Sequence, residues 1–274
     1  MNQQSMPLHL ACAQGRTETV KLLLNDDESN QINEIDTFGW TPLWIACLKG
    51  HLEIVKLLLN DSRIDVNKPR DNHVSSLIMN EKDEIELVNT AKTTAFWAAC
   101  CKGHNEIVEV LLNDERIDLE KANRNIETPF YVACLCERIE VIKLLLNDKR
   151  VDVNKANKSG STAFYVACLK GFTDVVKLLL NDDKVNINKA NADGETPLYL
   201  VCWSGHLEIV KYILASPREI NLQRKTYNGI SAIEIAKKRG RLEIVELLES
   251  FERNPIETRT KLRNQLGLSG KRFI

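Results

Sequence analysis

The sequence predicts an all-α fold: a solenoid of stacked helix–turn–helix units with projecting hairpin-like loops. The first observation is that the stretch TPLWIACLKGHLEIVKLLLN, residues 41–60, recurs along most of the chain. The second is its spacing, which is 34 residues between successive copies from Thr94 to Thr196 and 35 at either end. A fixed period of this size indicates supersecondary units that bury their apolar faces only against neighbours. The copies begin at Met6, Thr41, Thr94, Thr128, Thr162, Thr196 and Ser231.

The third observation is that each copy carries helix start signals. In the copy that opens at residue 128, the Thr128 hydroxyl is placed to cap the first turn. Pro129 follows at the first helical position, where a missing N–H costs nothing. Phe130, Ala133 and Cys134 then recur at helical spacing, which predicts a short helix with one apolar face of mostly small residues.

Stop signals divide each copy into two helices and a loop. A glycine ends the first helix in most copies, as a C-cap glycine does. One copy has Cys136-Glu137-Arg138 instead, so we expect its turn to differ locally. The second helix, residues 139–146 in this copy, precedes Asn147-Asp148 and a polar link that predicts an extended, hairpin-like loop.

The whole pattern, TPLxxA followed by GHLEIVKLLL and an IDVN-type tail, resembles the ankyrin repeat. The resemblance covers about residues 1–250 in seven recognisable copies. It implies pairs of antiparallel helices with projecting loops, stacked into a curved solenoid that binds other proteins on its concave side.

The predicted domain organisation follows the copies. We expect one ankyrin repeat domain over residues 1–250, followed by a basic C-terminal extension over 251–274. The repeats are predicted at about 1–35, 36–69, 90–122, 123–156, 157–190, 191–225 and 226–250.

Residues 70–89 interrupt the rhythm. Ser75-Ser76-Leu77-Ile78 stands where a start would fall, and Ile85-Glu86-Leu87-Val88 imitates a second helix. Two interpretations stay open: a repeat that has lost much of its second half, or a surface insertion between repeats.

The C-terminal extension has a net charge of +4, from six basic and two acidic side chains. Leu262 and Leu266 lie at i and i+4, so a short helix docked on the end of the stack is one interpretation, with loose final residues. The other is a basic recognition tail for acidic partners. We favour the docked helix.

Charge and hydropathy favour a protein that acts without a global electrostatic field. The formal net charge is −1, from 37 basic and 38 acidic residues, which disfavours nucleic acid as a partner. No signal peptide and no apolar run of membrane-spanning length is visible. We expect a monomer without a membrane span that is cytoplasmic or nuclear.

Six of the eight cysteines occupy the same position in the first helix of successive copies: Cys12, Cys47, Cys100, Cys134, Cys168 and Cys202. Packed helices lie about 8–10 Å apart, too far for neighbouring equivalents to form disulfides. We expect them to be buried as small hydrophobic side chains. Cys101 and Cys136 lie just beyond that position, so we expect them to react sooner with thiol reagents.

No catalytic constellation is visible. His51, His104 and His206 all occupy the Gly-His step between helices, a repeat or more apart, so they cannot converge on one metal. Phosphate-binding loops, nucleophile elbows and HExxH motifs are missing from the sequence. The sequence therefore predicts a non-enzyme with no catalytic residue, no metal and no cofactor.

Aromatic side chains occupy the position where the family usually has the histidine of TPLH. One interpretation is packing between repeats, with hydroxyl and indole N–H groups reaching loop backbone. The other is an exposed row that anchors a partner. The residues are Trp44, Trp97, Tyr131, Tyr165 and Tyr199.

The resemblance implies a binding surface made of loop tips and of the two residues that end the first helix. Those helix positions are Leu48, Lys49, Cys101, Lys102, Leu135, Cys136, Leu169, Lys170, Trp203 and Ser204. The loop positions include Phe38, Trp40, Arg124, Asn125, Glu127, Lys158, Asp193 and Glu195. An apolar strip edged with lysine is typical of a protein-binding groove.

Two functional classes follow. The first is a non-catalytic protein–protein interaction module, acting as scaffold, adaptor or inhibitor, with another protein as its partner. The alternative is nucleic-acid or acidic-lipid binding through the basic tail and the groove cations Lys49, Lys102, Lys170, Lys238 and Arg239.

Overall fold

The computed structural model describes residues 6–26, 31–70 and 92–268, in two compact units, Met1–Val151 and Asp152–Ile274. The described residues form fifteen α-helices, one 3₁₀ helix and no strand, which confirms the all-α prediction. In the first unit the helices are α1 Pro7–Ala13, α2 Thr17–Leu24, the 3₁₀ helix Gln31–Asn33, α3 Pro42–Lys49, α4 Leu52–Asn60, α5 Ala95–Lys102, α6 Asn105–Leu112, α7 Pro129–Leu135 and α8 Ile139–Asn147.

The second unit continues the same alternation of helix pairs. Its helices are α9 Ala163–Lys170, α10 Thr173–Leu180, α11 Pro197–Ser204, α12 Leu207–Ala215, α13 Ala232–Lys238, α14 Leu242–Arg253 and α15 Pro255–Gln265. The truncated repeat or surface loop predicted at residues 70–89 lies outside the described residues, apart from Arg70.

Threonine caps start the first helix of each well-preserved pair. The Thr41 side chain accepts a hydrogen bond from the backbone N–H of Trp44, and Thr94, Thr128, Thr162 and Thr196 repeat this contact. Ser231 begins α13 with a full capping box, in which the Glu234 carboxylate accepts from the Ser231 backbone N–H. The start signals of the sequence are therefore confirmed.

Left-handed backbone ends the first helix of each of these pairs. Gly50, Gly103, Gly171 and Gly205 take positive φ, as glycine does without strain. Glu137 takes φ 56° at the equivalent point, and the Arg138 N–H still bonds the Ala133 carbonyl as the His104 N–H bonds that of Ala99. The glutamate adopts the glycine conformation, and the expected local difference is that α7 ends one residue earlier, with the Glu137 N–H bonding the Cys134 carbonyl.

Two rows of helices stack within each unit. In the first unit α1, α3, α5 and α7 pack in sequence, and α2, α4, α6 and α8 form the second row. In the second unit α9, α11 and α13 pack in one row and α10, α12 and α14 in the other. The facing first helices bring together fully buried small side chains, such as Ala46, Ala99 and Ala133, so their backbones approach closely.

The residue that follows each left-handed turn packs onto the preceding repeat. The His104 ring covers Gly50, where an added Cβ would lie 2.7 Å from Cε1, and its Nε2 lies 3.1 Å from the Leu48 carbonyl oxygen. Arg138 replaces the histidine one repeat later and donates from Nε to the Cys101 carbonyl over 2.9 Å. These positions are structural.

The aromatic position is also packed. The five side chains are at most 8 % exposed. Trp97 Nε1 donates to the Glu127 carbonyl over 3.0 Å, Trp44 Nε1 to Thr93 Oγ1 over 3.2 Å, and the Tyr165 hydroxyl to Glu195 over 3.0 Å. The packing interpretation is thus confirmed, and these rings are not an exposed anchor row.

The C-terminal extension docks as a helix. Helix α15 packs on α12 and α14, with Leu262 and, beyond the helix, Leu268 buried. Arg263 donates to the Ala215 carbonyl at the end of α12. The docked-helix interpretation is confirmed as far as Leu268, and the last six residues lie outside the described part of the chain.

Candidate functional site

In the second unit, equivalent positions at the end of two first helices expose large apolar side chains. Leu169 in α9 is 38 % exposed and Trp203 in α11 is 40 % exposed, although both helices are otherwise almost wholly buried. The Arg239 guanidinium lies over the Trp203 ring, 4.6 Å from its centroid. This stacking fixes the indole in a half-exposed orientation.

Basic side chains border Leu169 and Trp203. Lys170 follows Leu169, and Lys238 and Arg239 end α13, which packs against α11; all three are exposed. Ser204, also a predicted site residue, is half-buried, and its carbonyl accepts from Arg241. Exposed apolar and exposed basic side chains therefore occur together at the ends of α9, α11 and α13.

Loop tips of the second unit are joined to one another. The Ala192 N–H donates to the Ser159 carbonyl over 2.8 Å, and the Tyr227 N–H to the Asp193 carbonyl over 3.1 Å. Lys158, Asp193 and Tyr227 are exposed at these tips. The hydrogen bonds between tips hold exposed side chains of successive repeats in fixed register.

Glu195 has a structural task at its tip. Its carboxylate accepts from the Tyr165 hydroxyl and from Asn191 Nδ2, each over 3.0 Å. Burial, followed by the neighbouring Glu195 charge, raises the pKa of Tyr165, so the phenol stays a proton donor. A partner could reach Glu195 only at its exposed edge.

In the first unit the predicted helix-end residues differ in exposure. Lys49 is exposed, whereas Leu48, Lys102, Leu135 and Cys136 are partly exposed. Cys101 is 2 % exposed, so its side chain is not available to a partner or to a thiol reagent, contrary to our expectation. It faces the neighbouring repeat instead of the surface.

An aromatic cluster marks the first tip of this unit. Phe38 is exposed and lies 5.1 Å from Trp40, which stacks on the buried Trp44 at 5.2 Å between ring centroids. The Arg70 guanidinium lies over both tryptophans, at 5.5 and 5.4 Å. Phe38 is therefore an exposed side chain that rests on packed tryptophan rings, which is compatible with the predicted contact role.

Ile126 is a surface residue that the sequence analysis missed. It lies in the tip formed by residues 123–127, between the predicted contact residues Asn125 and Glu127, with Arg124 exposed nearby. Ile126 has φ 61° and is 42 % exposed; glycine holds this conformation in four other tips, and Lys92 holds it in a fifth with φ 67°. The replacement of a recurring glycine by isoleucine was a signal in the sequence. A strained, exposed apolar residue costs stability, which suggests a role outside folding.

A thiol pair in the first unit was also missed. Cys101 Sγ and Cys136 Sγ lie 3.6 Å apart and share a hydrogen bond, although they come from neighbouring repeats. Cys101 is the next-to-last residue of α5, and Cys136 is the C-cap of α7. The signal was that both follow the buried cysteine position by one or two residues.

Among the described residues, no group of three His, Cys, Asp or Glu side chains is placed to hold a metal ion. The histidines of the Gly-His step are used in packing, since His51 and His104 each contact a carbonyl of the preceding repeat.

A family model described as "Ankyrin repeats (3 copies)" matches residues 1–70, 66–157 and 149–226. The chain belongs to the ankyrin repeat family. Ankyrin repeats are typically non-catalytic interaction domains, and membership supports a role in protein–protein interaction. The recognition of the family from the sequence is confirmed.

Among solved structures, the ankyrin repeat domain of Bcl-3, described as a unique member of the IkappaB protein family, is similar. The match has a TM-score of 0.71 and 22 % identity, and it covers 89 % of this ankyrin repeat chain and 100 % of that domain. At this identity the likeness shows the fold alone.

The search of curated proteins gave no significant match. Within the described residues, none of the helices has the length and apolarity needed to span a bilayer.

Proposed function

We propose that the chain is a non-catalytic protein–protein interaction module that binds a partner protein through the ends of its first helices and its loop tips. In ankyrin repeat proteins this is the concave face. The observation that carries the proposal is the repeated exposure of a large apolar side chain at one helix position, Leu169 and then Trp203. A face that contacts only water does not need large apolar side chains. Apolar residues held rigidly at a surface are typical anchors of protein interfaces.

Charge indicates the chemistry of the partner. Lys170 follows Leu169 and Arg239 stacks on Trp203, and both cations are exposed, so the complementary surface combines an apolar side chain with carboxylates. Near-neutral total charge agrees with recognition by a local patch and not by a long-range field.

The alternative, nucleic-acid or acidic-lipid binding, has less support. Two arginines of the basic extension are engaged in docking: Arg259 and Arg263 donate to carbonyls at the end of α12. Phosphate binding draws on several accessible cations at once, and these two are already in use.

The test compares Trp203→Ala with Leu242→Ala. Both remove an exposed apolar side chain of the second unit, but Leu242 lies at the start of α14, outside the proposed surface. A partner captured by the wild-type protein is purified, and its Kd is measured for each variant. We expect Trp203→Ala to weaken binding about thirtyfold or more, since truncating an anchor tryptophan costs at least about 2 kcal/mol. Leu242→Ala should bind like wild type.

Thermal unfolding separates binding from folding. Trp203→Ala loses an exposed cation–π pair worth about 0.5–1 kcal/mol, so its melting temperature should stay near that of wild type. Leu198→Ala, in the core of the same helix, should cost about 2–5 kcal/mol. Full binding by Trp203→Ala would contradict the proposed surface, and unfolding as severe as that of Leu198→Ala would make Trp203 a packing residue.

A further inference from the structure

Cys136 differs from the other cysteines of the chain. All eight lie in the described residues and are free thiols; seven are buried, and Cys136 is partly exposed. Its nearest sulfur is that of Cys101, one repeat earlier, at 3.6 Å. The pair therefore combines one thiol that solvent can reach with one that it cannot.

The surroundings of the pair favour a thiolate on Cys136. The hydrogen bond from Cys101, then the charges of Arg138 and Lys102, lower the pKa of Cys136 to about 7, against burial and the Glu127 carboxylate. The same hydrogen bond and burial raise the pKa of Cys101, which stays protonated as the donor. Thiolates attack, and thiols do not, so Cys136 is the nucleophile of the pair.

We propose that Cys101 and Cys136 form a dithiol site that a hydroperoxide converts into an intramolecular disulfide between neighbouring repeats. The two sulfurs are already in contact at 3.6 Å, and a disulfide brings them to about 2.05 Å. Cys136 is the C-cap of α7, outside the regular helix.

The chemistry balances with the peroxide as the only oxidant. The Cys136 thiolate attacks the terminal peroxide oxygen; the O–O bond breaks and sulfur is oxidised to a sulfenic acid. The released oxygen takes a proton and leaves as water from hydrogen peroxide, or as an alcohol from an alkyl hydroperoxide. Cys101 then gives its proton to the sulfenic oxygen, and its sulfur attacks the Cys136 sulfur as a thiolate. The S–O bond breaks as the S–S bond forms, and the protonated oxygen leaves as water. A dithiol such as dithiothreitol reverses the result by exchange.

Accessibility makes the site selective. The thiols of Cys47 and Cys100 are fully buried and their pKa values are raised by desolvation. The same cause raises the pKa of Cys134, two residues before Cys136. None of them is a reactive nucleophile in the folded protein, so oxidation begins at Cys136. The inference does not depend on the proposed partner.

The experiment treats the reduced full-length protein with hydrogen peroxide and maps the products by mass spectrometry. We expect a peptide in which Cys101 is linked to Cys136, lost after dithiothreitol. Cys136→Ser should consume peroxide at least about tenfold more slowly, because the remaining thiols are buried and protonated. The matched control Cys134→Ala, on the same helix, should react like wild type.

Two further readouts keep the outcome decisive. In Cys101→Ala the Cys136 sulfenic acid should persist and be trapped by dimedone, whereas in wild type it should not. The oxidation rate should rise as pH rises through about 7, because the thiolate fraction of Cys136 rises. Absence of the linked peptide, with Cys136 carried on to sulfinic acid, would overturn the proposal; so would an equal rate for wild type and Cys136→Ser.

Discussion

At the scale of single residues, Glu137 and Ile126 hold left-handed backbone where most other repeats use glycine, and Lys92 does so at the position equivalent to Ile126. An L-residue in this region pays roughly 1–2 kcal/mol relative to right-handed backbone. Glu137 lies in the turn between α7 and α8, and the neighbouring contacts of the stack hold that turn in place. Ile126 lies in an exposed tip, so its strain is not compensated by burial.

Ile126→Gly is therefore expected to stabilise the folded protein and weaken partner binding at once. Relief of the left-handed strain contributes about 1–2 kcal/mol, and the greater chain entropy of glycine in the unfolded state costs about 0.5–1 kcal/mol. We therefore expect the free energy of unfolding to rise by about 0.5–1 kcal/mol. Chemical denaturation measures the gain, and the Kd for the captured partner measures the loss.

The control for this prediction is Glu137→Gly, which relieves strain without removing an exposed apolar group. It should stabilise by a similar amount and leave the Kd unchanged. If Ile126→Gly stabilised the protein and also bound the partner at full strength, Ile126 would have no part in recognition.

At the scale of elements, short Asp-x-Arg turns fasten each loop of the first unit to the repeat before it. Arg116 pairs with Asp114 over 2.6 Å, and its Nη2 donates to the Leu59 carbonyl at the end of α4. Arg150 does the same with Asp148 and the Leu112 carbonyl. The arginine hydrogen bond holds the pKa of Asp114 and of Asp148 below the usual value. Backbone carbonyls at the end of a second helix, which have no partner within that helix, thus accept hydrogen bonds from an arginine of the following repeat.

The docked helix α15 is the element whose contribution to stability is easiest to isolate. Leu262 is buried on this helix and Ile256 is exposed on it. Leu262→Ala should cost about 2–4 kcal/mol through lost burial and a cavity, whereas Ile256→Ala should change stability by less than about 0.5 kcal/mol. Thermal or urea unfolding compares the two directly. Equal effects would mean that α15 is not held by its buried leucine.

Helix boundaries were predictable where the signals for a helix start or end lie within a single repeat. Thr128, Pro129 and the glycines mark helix ends by local chemistry, which a sequence displays. The Cys101–Cys136 contact was not predictable, because it depends on how far the ends of two neighbouring helices converge. Leu169 is exposed as expected, but the burial of Cys101 at the equivalent helix position was not predictable for the same reason, because only the packing around each residue decides which is covered.

At the scale of the whole molecule, the period makes repeats interchangeable at their interfaces. Helix α3 packs against α5, which presents Phe96, Trp97 and Ala99, and α7 carries Phe130, Tyr131 and Ala133 at the equivalent positions. A repeat contacts only its neighbours, so stability is close to a sum of repeat and interface contributions. One complete repeat can therefore be removed without a change of fold, provided that the register is kept.

Deletion of residues 94–127, 34 positions from one threonine cap to the next, should leave a folded and shorter protein. Thr93 then joins Thr128, and α7 takes the place of α5 against α3. We expect a cooperative thermal transition at a lower temperature, because one repeat and one interface are lost, with helical circular dichroism per residue unchanged. The matched control deletes only residues 95–103, which removes α5 and leaves α6 with Ile107, Val108 and Leu111 unpaired. That variant should aggregate or unfold, since a single helix of the pair cannot cover its apolar face. If the half-repeat deletion folded while the in-register deletion did not, the stability of the first unit would depend on contacts other than those between adjacent repeats.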